Sequence, residues 1–323
     1  MPRSKAKPKP IPPLSASVFE QAWGSQRAPQ PSSSEPPPTV SVRWLLTATA
    51  LALLGAAVCA WAALCLLFWQ GSWQLLYHPA AAVTRTPASL GLAFDSVGFA
   101  ATEAGVPRLR GWWIPASPDA HFSRYTVLYL HGQDGNLGDA VDALAALHSA
   151  GANVLAFDYR GCGQSQFARP SEARWREDAE SALLYLTGTR HVDAGTIVLE
   201  GRELGANLAL EVAAQHPELA GVVLESPLES PLNAIFADPR ARLVPAHLLV
   251  RDRFDGTAPA TSLRIPSLWF ASTAAPGQVG LPAKPGAFQL VTSPKMLVWL
   301  APSSHAHSDA VNALSRWLDG LHR

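Results

Sequence analysis

The chain has 323 residues, 48% of them hydrophobic, with 25 Lys and Arg balanced by 25 Asp and Glu. A neutral chain offers no global basic field for nucleic acid, and this apolar content supports a sizeable core and excludes wholesale disorder. Three cysteines cannot build a disulfide framework, and no Cys-x-x-Cys, His-Glu-x-x-His or P-loop spacing calls for a metal or another cofactor.

Residues 1–42 hold 10 of the 28 prolines, 8 serines, five basic residues and two acidic ones. So little apolar surface cannot offset the entropy of ordering, and the segment reads as a disordered Pro/Ser-rich tail. From Trp44 to Trp69 follow 26 residues without a charge, more than the ~20 that a helix needs to cross a bilayer. Trp44 at one end, and Trp69, Trp73 and Tyr77 at the other, suit membrane interfaces. A cleaved signal peptide carries an apolar run of only about 7–15 residues. Residues 43–69 therefore read as a single-pass signal anchor whose partner is the lipid bilayer. Arg43 and the basic tail precede it, and the first cation after it is Arg85. The positive-inside rule then places the tail in the cytosol and residues 70–323 outside the cytoplasmic membrane.

Residues 70–323 suit one large domain. Short apolar runs at 126–130, 153–158, 196–201, 221–226, 266–271 and 296–300 alternate with helical patterns at about 138–150, 173–188, 204–215 and 308–322. Continuous apolar strands alternating with helices signal an α/β fold with a mostly parallel sheet covered on both faces. Cys162 reads as a small buried thiol and Trp112-Trp113 as packing residues.

Each strand ends in a cluster of turn and polar residues, where a parallel sheet places its site. The clusters are His131-Gly132-Gln133-Asp134-Gly135-Asn136, Asp158-Tyr159-Arg160-Gly161, Gly201-Arg202-Glu203-Leu204-Gly205 and Glu225-Ser226-Pro227, with Ser303-Ser304-His305 near the end. In this order and spacing the chain resembles the α/β hydrolases, and more narrowly the lidless, membrane-anchored serine-aminopeptidase-like group, over roughly residues 75–323. The Leu248–Asp255 run is similar to one found in that group. The resemblance implies an α/β-hydrolase fold with a nucleophile elbow between Gly201 and Gly205. It also implies an oxyanion hole from the backbone N–H groups of Leu204 and Gln133.

The catalytic pattern then breaks. Glu203 occupies the nucleophile position of Gly-x-Ser-x-Gly, so no hydroxyl is available to attack a carbonyl. Ala275 falls near the position of the family's aspartate, and no Asp or Glu occurs between Gly256 and Ser308. His305 matches the family's histidine, with His307 as its neighbour, and Glu225 or Glu229 could serve as its acid. A carboxylate at a helix N-terminus is electrostatically favoured, so Glu203 either fills the oxyanion hole itself or pairs with His305. Both arrangements block acyl chemistry and suggest a pseudoenzyme of serine-hydrolase ancestry that binds an acyl or ester ligand or a protein partner. The alternative is an active esterase, lipase or peptidase that uses Glu203 as a covalent nucleophile. Against it, Glu is one methylene longer than Asp, and a misplacement near 1 Å already costs ~10²-fold in rate.

Overall fold

The computed structural model describes residues 40–272, 285–300 and 306–321. The chain falls into two compact units, Met1–Cys59 and Ala60–Arg323. Helix α1 (Val42–Gly71) runs through the boundary without a break. Its sequence holds no proline, and its many Ala and Leu residues are strong helix formers. It is long and apolar enough to cross a membrane. In the first unit its large side chains, Trp44, Leu46, Leu51 and Leu54 among them, are exposed all round. In the second unit Leu64 and Cys65 pack against the main core and Phe68 belongs to it. There the Trp61 Nε1–H donates to the carbonyl of Leu243 at 3.0 Å.

The second unit is built on an eight-stranded sheet. In chain order the strands are β1 (His78–Pro79), β2 (Asp95–Ala101), β3 (Pro107–Ile114), β4 (Thr126–Leu130), β5 (Asp134–Gly135), β6 (Asn153–Asp158), β7 (Ile197–Arg202), β8 (Gly221–Glu225), β9 (Ser267–Ser272) and β10 (Lys295–Leu300). The short β1 and β5 pair with each other, and the rest run in the order β10-β9-β8-β7-β4-β6-β3-β2. Pairing is parallel from β10 to β6 and antiparallel at β6–β3 and β3–β2. All six strands expected from sequence are present, and β2–β3 is an additional edge hairpin. Its alternating burial leaves one face to solvent, whereas β4 is buried at every position.

Two apolar clusters sandwich the sheet. One contains residues of α3 (Glu172–Leu184) and α4 (Leu204–Gln215), the other residues of α2 (Val141–Ser149) and α9 (Ala306–Gly320). Two expected helices end differently. The first begins as a 3₁₀ turn, Leu137–Ala140, capped by Asn136, and α3 closes in a π-turn, Tyr185–Thr189. Strand order reverses around β4, with β6 on one side and β7 on the other. That reversal opens a crevice at the strand ends, which is where open α/β sheets place ligands.

Candidate active site

The crevice lies between the loop after β4 and the turn from β7 into α4. At that turn Glu203 has φ 52° and ψ −118°, the conformation of the first central residue of a type II′ turn. An L side chain there is strained by about 1–3 kcal/mol. The turn is held by Glu203 N–H donating to the carbonyl of Glu225 at 2.8 Å, and Ala206 N–H returns to the carbonyl of Glu203 at 3.0 Å. The flanking glycines are forced by contact. A Cβ on Gly201 would strike the backbone of Gly205 and Ala206, and one on Gly205 would strike the carbonyls of Leu130 and His131. Helix and strand approach too closely for any side chain at either position.

Residues of the loop after β4 are pinned from beneath. The Tyr159 hydroxyl donates to the carbonyl of His131 at 3.3 Å, and the Tyr159 ring stacks on Trp175 with centroids 4.1 Å apart. Asp158 accepts the N–H of Leu137 at 2.9 Å and lies 3.9 Å from His131 Nε2. Burial pushes the His131 imidazole down and the Asp158 carboxyl up. Arg160 reaches Asp178 at 2.6 Å and Glu177 at 2.6 Å. The Asp-Tyr-Arg-Gly motif is thus a brace for the loop. Cys162 is buried beside it, its thiol pushed up to about 12 by burial.

The backbone N–H of Leu204, the expected oxyanion donor, is already engaged. It donates to Oε1 of the Gln133 side chain at 3.2 Å. Gln133, expected to contribute a backbone donor, covers that position with its amide instead. This corrects the expectation that Glu203 fills the hole. The Glu203 carboxylate turns toward Gly132, where an added Cβ would lie 2.9 Å from Oε2, and its Oε1 is 4.0 Å from Arg202 Nε. Glu203, Arg202, Tyr129, His131, Gly132, Asp134, Asn136, Asp139 and Ala140 line a pocket of about 190 Å³.

Beneath the elbow lies an acid cluster whose Glu200 sequence reading did not single out. Glu200 is a direct cross-strand partner of Tyr129, and Arg202 of Glu225. Arg202 hydrogen-bonds the Tyr129 hydroxyl and lies 3.9 Å from Glu225. Glu200 is 7% exposed, and among the described residues its Oε2 has no hydrogen-bond partner. Burial first, then the charge of Glu225, pushes its carboxyl up to about 8. Glu200 and Arg202 stand two residues apart on one strand, so period-2 alternation alone places them on one face.

Of the candidate acids, Glu225 stays in this cluster, whereas Glu229 is exposed and accepts the N–H of Gly286 at 3.2 Å. His305 and Ala275 lie outside the described residues, so the Glu203–His305 pair and the aspartate position do too. Among the described residues no group of three or more His, Cys, Asp or Glu could hold a metal ion.

Residues 122–267 match the serine aminopeptidase (S33) family. An uncharacterized protein of Mycobacterium tuberculosis is 35% identical over 165 residues, covering 51% of this chain and 57% of that one. The human alpha/beta hydrolase domain-containing protein 17C is 34% identical over 119 residues, 36% of each chain. The chain thus spans about half or less of the length of these curated relatives. An esterase of Pyrococcus furiosus has a similar structure, with TM-score 0.55 and 19% identity over 75% of this chain and 98% of that one. A Vibrio vulnificus alpha-beta hydrolase is also similar, with TM-score 0.51 and 22% identity over 72% and 81%. Sheet order, strained elbow and these likenesses together make this chain an α/β-hydrolase-fold protein, with residues 122–267 matching the serine aminopeptidase (S33) family.

Proposed function

We propose that this chain is a pseudoenzyme of serine-hydrolase ancestry, held on a membrane by α1, that binds an acyl or ester-like ligand without Ser–His–Asp chemistry. The observation that carries this reading is the pairing of Glu203 at the nucleophile position with Leu204 N–H donated to Gln133. The elbow presents no nucleophilic hydroxyl and one of the two expected oxyanion donors is engaged, and removing one such donor alone costs about 10²–10³ in rate where it has been measured. The charge asymmetry of the sequence supports a cytosolic tail and an extracytoplasmic domain. A fluorescent reporter active only in the cytosol, fused after Arg323, is then dark.

One observation favours the alternative of an active hydrolase. The elbow keeps a strained φ of 52° at a non-glycine residue, and such strain persists at sites that use it. The test uses the full chain in neutral detergent, with a fluorophosphonate probe and p-nitrophenyl esters. Wild type is silent on the pseudoenzyme reading, and Glu203→Ser with Gln133→Ala restores probe labelling if the remaining machinery is competent. Ester turnover by wild type that disappears in Glu203→Gln refutes it in favour of a covalent glutamyl route.

A further inference from the structure

A second cleft of the second unit lies away from the elbow. Its volume is about 500 Å³, and it opens where α1 ends, beside Trp69, Ser72 and Trp73. Residues distant in sequence converge on it: Arg169 and Arg174 from around the start of α3, and Leu249, Val250, Arg251 and Asp252 from the segment after β8.

Three guanidinium groups share this cleft, and among the described residues none has a carboxylate partner within salt-bridge distance. Arg169 donates to the carbonyl of Trp69 at 3.0 Å and lies over the Trp73 ring at 5.9 Å. Arg174 donates to the carbonyl of Arg169. Arg251 is exposed. The two carboxylates lining the cleft are engaged elsewhere. Glu177 meets Arg160 at 2.6 Å, and Asp252 accepts the Tyr77 hydroxyl at 2.8 Å and the N–H of Glu172 at 3.2 Å. Burial leaves the Arg169 guanidinium below its ordinary range, although the charge of Asp252 favours it and that of Arg174 opposes it. A partly desolvated cation held only by a carbonyl and a ring gains from a negative ligand.

What surrounds the cleft selects the kind of anion. Trp69 and Trp73 have the amphipathic ring character of membrane-interface residues. Two large apolar side chains adjoin the lining residues in sequence and project outward: Phe167 is 94% exposed and Leu248 82%. Guanidinium forks match phosphate oxygens bidentately, and basic pockets beside membrane helices suit lipid head groups.

We propose that this cleft is a binding site for the phosphate of an anionic phospholipid, held by Arg169, Arg174 and Arg251. The proposal rests on the reading that α1 spans a bilayer. Alkaline extraction of membranes carrying the full chain tests that reading separately, because it asks only whether the chain stays in the pellet.

The binding test follows the thermal midpoint of the full chain in neutral detergent micelles. The added ligands are dihexanoyl phosphatidylglycerol, dihexanoyl phosphatidylcholine and inorganic phosphate. Phosphatidylglycerol raises the midpoint saturably and phosphatidylcholine does not. In Arg251→Gln, which breaks no bond inside the fold, half-saturation moves at least about tenfold higher, a loss of about 1.4 kcal/mol, and Arg251→Lys recovers part of it. Equal shifts for both lipids, or an unchanged response in Arg251→Gln and Arg174→Gln, overturn the proposal. Saturable protection by inorganic phosphate as strong as that by phosphatidylglycerol overturns the lipid as the source.

Discussion

Replacing Glu200 by glutamine keeps the shape of the side chain and removes its titration. Its carboxyl is 7% exposed and carries a folded-state pKa of about 8 against the ordinary 4.5, because burial and then the charge of Glu225 disfavour ionisation. The folded pKa stands above the unfolded one, so the unfolded chain releases this proton first. The site therefore withdraws stability as pH rises through the window from 4.5 to about 8 and is level beyond it. At about 1.4 kcal/mol per unit, the full penalty is roughly 5 kcal/mol, of which roughly 1 is already present at pH 5. Urea unfolding of wild type and Glu200→Gln, full chain in neutral detergent, at pH 5, 7 and 9 isolates the site. Subtracting the two curves cancels every titration that they share. The stability of the variant relative to wild type rises by about 4 kcal/mol from pH 5 to pH 9. Any fixed cost of burying the amide shifts the difference equally at all three pH values. Parallel curves, within about 1 kcal/mol over the range, refute the argument and mean that the carboxyl is solvated or paired.

Two further substitutions probe the scaffold of the site. Arg160→Met leaves Asp178 buried without its guanidinium at 2.6 Å, which costs about 3–5 kcal/mol. The Asp178 carboxyl is already pushed up to about 6 by burial despite that partner, so the loss is larger at pH 8 than at pH 5 in the same unfolding assay. Gly205→Ala forces a Cβ into the carbonyls of Leu130 and His131 and lowers stability by about 3 kcal/mol. Alanine at Gly286, where nothing lies within 4 Å of the added carbon, is the control and changes the midpoint little.

The parallel strands β4 and β6 to β9 were legible because each is buried on both faces and so appears as an unbroken apolar run, and β10, only half-buried, keeps a similar run. β2 and β3 escaped the same criterion. Val97 and Phe99 alternate with exposed residues, and Gly98 and Arg110 interrupt the hydrophobicity of an edge hairpin. The elbow was legible in a different way. Gly201, Glu203 and Gly205 are neighbours in sequence, and the close approach that makes glycine obligatory at 201 is local, although that at 205 comes from Leu130 and His131. The occupant of the oxyanion position was not, because it depends on a rotamer of Gln133, 71 residues before Leu204. The arginine cleft is less readable still. Counting cations after α1 in chain order reaches Arg85 first, yet the fold returns Arg169 to the carbonyl of Trp69, 100 residues away.

The last turns of α1 are part of the hydrophobic core of the domain: Phe68 is 5% exposed, with Leu64 and Cys65 packed beside it. The second unit therefore includes the end of this helix in its own core. Cutting the chain after Trp69 would not release a soluble fragment but would pull a plug out of the interior, opening a hole where Phe68 sat. Lost buried aromatics of this kind cost about 3–5 kcal/mol. A fragment meant to fold alone has to begin before Ala60 and keep the Trp61 bond to Leu243.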